Sequence, residues 1–134
     1  MPAAPLTTGR DTRAKDIVRT VSIPVKANTV IQDGSVVAVA AGYAIPAIDG
    51  AGNLVAGVAD WKVDNTGGAN GDKKCRVRQG VFHLDNADAA QADVFKIVYA
   101  LDDHQISKTA GANTVAAGQL LEIDPDGGAW VRVP

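Results

Sequence analysis

From Ile17 to its last residue the chain is a series of short Val-, Ile- and Ala-rich runs, separated by Asp-Gly, Gly-Asn and Gly-Gly turns. Turn signals recurring roughly every ten residues constrain the fold to many short strands, closed into a sandwich or a barrel. Alternation starts near Arg19: Val21, Ile23 and Val25 point one way, Thr20, Ser22 and Lys26 the other. Pro24 lacks a ladder donor, which places this run at a sheet edge. Further strands are expected at Ser35–Ala40, Tyr43–Ile48, Leu54–Trp61, Lys74–Leu84, Val94–Leu101, Gln105–Lys108, Gln119–Asp124 and Ala129–Val133.

Lys74–Leu84 is the clearest of these. Cys75 and Val77 share one face and Arg76 and Arg78 the other, but beyond Gly80 the bulky pair is Phe82 and Leu84. A glycine at a change of phase predicts a β-bulge or a sharp bend. The segment Asn86–Asp93 is the one plausible helical turn, with Asn86 or Asp88 as its N-cap. Ala51–Gly57 echoes Gly111–Gly118; a duplication and shared turn chemistry both account for the likeness. The expected fold is therefore all-β, a small β-sandwich or β-barrel of jelly-roll-like type, with at most one short helix.

The first residues break this pattern. They carry almost no apolar payload, and residues 1–20 read as an extended basic arm ahead of a β domain over 21–134. Arg10, Arg13, Lys15 and Arg19 supply its charge, and Pro2 and Pro5 keep it extended. Residues 1–26 hold five basic and two acidic side chains, whereas the remainder holds eight basic and thirteen acidic. A positive arm on a negative body favours an acidic neighbour, or a second copy of the same body. Arg10, Arg13, Lys15 and Arg19 are accordingly the expected partner-binding residues, through charge-assisted bonds to carboxylates across a subunit boundary. The apolar content is mostly Ala and Val, so the core removes modest area from water, and self-association or a partner is expected to supplement it.

The remaining candidates for chemistry are thin. Cys75 is alone, so no intramolecular disulfide forms. The chain starts without a charged stretch leading into an apolar one, and Val36–Ile48, the longest apolar stretch, falls short of the ~18–20 residues of a membrane helix. A soluble protein made in the cytoplasm is expected. His83 and His104 have no His or Cys at metal spacing, so no metal is expected; His83 reads as half-buried on its strand and His104 as a turn residue. Ser22, Ser35 and Ser107 lie outside any nucleophile-elbow motif, and Asp102-Asp103-His104 reads as a local turn. Glu122 is the only Glu, and most Asp residues sit beside Gly or Asn in turns. Asp124-Pro125-Asp126-Gly127 departs from the calcium-loop frame and reads as a hairpin turn. Gly67–Lys74 lacks the Gly-Lys-Ser/Thr ending of a phosphate loop. Catalytic residues and cofactors are not expected. Lys74, Arg76 and Arg78 make a basic stripe that, lacking interleaved aromatics, reads as a solvated face; its alternative is a small nucleic-acid-binding barrel.

Three stretches resemble the head decoration (capsid cement) proteins of tailed bacteriophages. They are Ala56-Gly-Val-Ala59; Arg76-Val-Arg-Gln-Gly-Val-Phe-His-Leu84; and Val94–Asp103, followed by Gln105–Ser107 and Ala117–Val131 with its Asp-Gly turn. The likeness spans roughly residues 28–134 and leaves the basic arm outside. It implies a non-enzymatic virion protein on the outer surface of an icosahedral shell. Its implied partners are the major capsid protein and itself, as a homodimer or homotrimer, with no membrane and no direct nucleic-acid contact. Its implied role is to cement neighbouring capsid subunits against the pressure of packaged DNA.

Overall fold

A computed structural model describes residues 3–134, with the side chains of all but residues 15–18. The fold is all-β. Its strands are β1 (Ala14–Pro24), β2 (Val30–Ile31), β3 (Val36–Ala40), β4 (Tyr43–Pro46), β5 (Leu54–Ala59), β6 (Val63–Asp64), β7 (Lys74–Asn86), β8 (Ile97–Ala100), β9 (Gln105–Ser107), β10 (Ala116–Ile123) and β11 (Ala129–Val133).

Strand β7 organises the molecule because it is long enough to serve two parts of one nine-stranded sheet in succession. Its second half pairs with β11 on one side and, in parallel, with β9 on the other. Strands β8 and β10 complete the circuit, so β7, β11, β10, β8 and β9 close a five-stranded barrel. Its first half pairs with β5, from which β3 and β4 extend as a wing, and β1 runs antiparallel along β7 from Lys74 to Phe82. Strands β2 and β6 form a separate ribbon.

Burial follows the predicted change of phase. Cys75 and Val77 face a smaller cluster with Val25, Ile31, Val37, Ala44, Ala59 and Val63. Phe82 and Leu84 face the barrel interior with Val98, Ile106, Leu120, Val131 and Val133. The two clusters lie on opposite faces of one strand. The irregularity that accompanies the switch lies in β1, where Ile17 pairs with Gly80 and Arg19 with Gln79, leaving one extra residue between them. Each cluster is built largely from Val and Ala, and each buried methylene contributes about 0.8 kcal/mol.

The two echoing segments converge on one device. In β5, Ala56 is the extra residue of a bulge and Gly57 follows it; in β10 the same places are taken by Ala117 and Gly118. The two glycines have φ of 157° and 156°. A Cβ on Gly57 would press on the carbonyl oxygen of Arg78, and one on Gly118 on that of Arg132. The shared sequence thus writes the same close approach of one strand to the next.

Two expectations are corrected. Strand β1 begins at Ala14, well before Arg19, so the expected division between residues 20 and 21 falls inside a strand. The long edge of β7 supplies pairing partners for Ala14, Asp16 and Ile17, ahead of Arg19, which alternation alone does not reveal. The helical turn is a single 3-10 turn, Gln91–Asp93, with Ala90 in the cap position and its N–H held by the Asp93 carboxylate at 2.8 Å. Asn86 instead closes the turn before it, bonding both N–H and carbonyl of Ala89, and Asp88 holds Ser107 and the Lys108 N–H.

Candidate docking surfaces

The basic segment lies along its own body. Ala4 donates its N–H to Asp102, and Leu6 donates to both oxygens of Asp103 at 3.0 Å. Arg10 donates its backbone N–H to the Asp33 carbonyl at 2.7 Å, and its guanidinium reaches the His83 carbonyl at 3.1 Å and Asp85 at 2.9 Å. Thr12, which is buried, donates its hydroxyl to the Gly34 carbonyl. The seat is thus a row of aspartates, at the turns and near the end of β7, matched to the arm's donors. Burial raises the pKa of Asp103, and the Leu6 N–H acts against that rise.

Each expected partner-binding residue has a definite place. Arg10 is mostly enclosed by the contacts above. Arg13 reaches Asp124 at 3.0 Å and Asp126 at 3.4 Å, with its guanidinium 5.4 Å from the centre of the Trp130 ring. Arg19 donates to the Gln79 side chain at 2.6 Å. The side chain of Lys15 lies outside the described residues. Within one chain, therefore, Arg10, Arg13 and Arg19 bond intramolecularly.

The histidines also meet carboxylates that spacing does not reveal. His83 is buried, beyond the half-burial expected of it; its Nε2 lies 3.2 Å from Asp124 and 3.4 Å from Asp126, and its ring packs edge-on against Trp130. These are the same carboxylates that hold Arg13, so Arg13 and His83 converge on one acidic pair. The Gly128 N–H, and His83 after it, hold the Asp126 carboxyl below the usual range. His104 donates or accepts at Nδ1 with Asp85 at 2.8 Å. The Ser35 hydroxyl bonds the Val36 carbonyl and that of Ser107 bonds Asp88, so neither addresses His104.

The basic stripe divides in two. Arg76 and Arg78 both turn to Asp60, at 3.1 and 3.5 Å. Lys74 instead lines an open groove of about 570 Å³ with Trp61, Lys62, Val63, Asp64 and Lys73. Trp61 is 60% exposed, and the Arg76 guanidinium stacks 5.9 Å from its ring centre. An aromatic is thus beside the basic stripe after all, delivered from β5–β6 rather than from β7.

A second exposed apolar surface sits at the entrance to β8. Phe95 and Ile97 are 69% and 50% exposed. Phe95 holds φ at 72°, which is unusual for a bulky side chain. Its backbone is pinned on both sides: the N–H donates to Leu120 O at 2.7 Å, and the carbonyl accepts from the Gln119 side chain at 3.1 Å. No signal in the sequence marked Phe95, which reads there as an ordinary strand residue.

Compared with protein-family models, with curated proteins and with solved structures, the chain gives no match.

Proposed function

We propose that this protein is a structural capsid-binding protein, which docks on the outer surface of an assembled phage head and cements neighbouring major capsid subunits. The observation that carries the reading is Phe95, a large apolar side chain offered to solvent from a left-handed backbone that two hydrogen bonds hold in place. Such a conformation costs about 1–3 kcal/mol, and residues that keep it concentrate where a protein meets a ligand or a partner. Ile97, two residues on, extends the apolar contact. An exposed aromatic in a hydrogen-bonded turn, next to an aliphatic that opens β8, is the composition of an interface anchor. The resemblance of Ala56–Ala59, Arg76–Leu84 and Val94–Val131 to head decoration proteins suggests the partner: the major capsid protein, with this chain itself as a homodimer or homotrimer on the shell. Physically the effect is linkage, since a ligand that binds only the assembled lattice stabilises it by mass action.

The test is cosedimentation with undecorated phage capsids. The wild-type chain pellets with the shells and raises their melting temperature. Phe95→Asp, which changes an exposed side chain, binds at least about tenfold more weakly, as loss of an anchor requires. Equal binding of the two proteins contradicts the assignment of Phe95, and absence of binding by the wild type contradicts the capsid reading itself.

A further inference from the structure

The groove beside Trp61 is a separate feature from the Phe95 surface. Residues 27–134 contain eight basic side chains; three of them, Lys62, Lys73 and Lys74, line this one groove, and a fourth, Arg76, reaches its Trp61, on an otherwise acidic body. Arg76 and Arg78 are committed to Asp60. Lys62, Lys73 and Lys74 are exposed, and none lies within ion-pair distance of a carboxylate among the described residues. Asp64, on the groove wall, is occupied by the Thr66 N–H at 2.9 Å and the Thr66 hydroxyl at 2.5 Å, bonds that lower its pKa. The fold opens this space because β5 and β7 pair only as far as Ala59 and Val77, after which the chain turns away into the β2–β6 ribbon.

We propose that this groove binds a short single-stranded nucleic acid segment, one base stacking on Trp61 while adjacent phosphates meet Lys62, Lys73 and Lys74. The flat indole decides between polyanions. Stacking platforms flanked by positive charge are how single strands are held without sequence preference. An acidic polypeptide uses the cations but has no planar group for the ring, and the groove is lined by lysines rather than by the Arg forks that suit carboxylates. The Arg76 guanidinium on the indole adds a cation to the platform itself. The acidic body keeps the footprint short, because a strand that leaves the groove meets like charge.

The experiment is a fluorescence-anisotropy titration of the full chain with dye-labelled oligothymidylate over a series of salt concentrations. Saturable binding is expected at low salt, with a log–log salt slope of about −2 for three lysine–phosphate contacts to a single strand. Trp61→Ala is expected to weaken binding at least about fivefold, since stacking on one aromatic contributes at that level. Lys73→Glu with Lys74→Glu is expected to abolish it. These side chains are exposed, so circular dichroism of the variants matches the wild type. Absence of saturable binding overturns the proposal, as does binding that ignores Trp61→Ala. Poly-glutamate binding with the same dependence on Trp61 also overturns it and assigns the groove to an acidic polypeptide. All of these outcomes are independent of whether the chain pellets with capsids.

Discussion

Cys75 sits on the smaller core, with Val25, Ile31 and Val77 around it, at zero exposure. Burial with no compensating charge pushes its thiol up to about 11. In the folded protein at pH 8, iodoacetamide should therefore modify Cys75 at least about a hundredfold more slowly than in the urea-unfolded chain, because the thiolate is the reactive form. Mass spectrometry over time reads this directly, and equal rates would show that the smaller core opens freely. The same residue shows what was legible at this scale. Cys75 and Val77 against Phe82 and Leu84, with Gly80 between, wrote the change of face into the sequence, and the structure has it. Phe95 and His83 were not legible. A residue's φ and its distance to carboxylates some forty positions away depend on pairing, and Asp124 and Asp126 reach His83 only because β11 lies beside β7.

Ala4, Leu6, Arg10 and Arg13 are held by aspartates of the body, and Gly34 is the point where the fit is tightest. Its φ is 80°, and a Cβ there would fall on the Arg10 carbonyl oxygen and against the Thr12 hydroxyl. Gly34→Ala is thus predicted to lift the segment from its seat, beyond the cost of about 1–2 kcal/mol for a left-handed non-glycine residue. Limited trypsin digestion should then cleave after Arg10 and Arg13 several-fold faster than in the wild type, as opening of a seated segment requires. An unchanged digestion pattern would show that the segment is not locked there. The existence of most strands was legible, since period-two alternation between Asp, Asn and Gly turns survives any tertiary context. Their partners were not. The parallel β7–β9 pair, the closure of β7 on β11 and the two-residue ribbon of β2 and β6 have no period of their own. The length of β1 was hidden because its first residues, Ala14 to Val18, show no clean alternation and pair with β7 through two register shifts. Asp102 and Asp103 read correctly as turn residues, and Asp102 does accept from the His104 and Gln105 N–H groups. Their second task, holding Ala4 and Leu6 from nearly a hundred residues away, needed the fold.

At the scale of the whole molecule, a closed barrel and a winged sheet share one strand, and the basic segment is folded back on the acidic turns of its own chain. Seating the arm in this way satisfies Arg10 and Arg13 internally, and the two proposed contact surfaces lie elsewhere, at the exposed Phe95–Ile97 corner and the Trp61 groove. The membrane question rests on one fact: no helix among the described residues is long and apolar enough to cross a bilayer. Charge and composition pointed to the arm as the docking element, because unpaired cations are visible in a sequence and the carboxylates that neutralise them are not. The proposed anchor, Phe95, lies instead in the turn ahead of β8, where its backbone strain is stored before any partner arrives. The most direct measurement is a cryo-electron-microscopy map of undecorated phage capsids incubated with this chain. The account predicts density for the barrel on the outer shell surface, with Phe95 and Ile97 buried against the major capsid protein. A map in which the shells stay bare, or in which the chain is attached with Phe95 and Ile97 facing solvent, would contradict it.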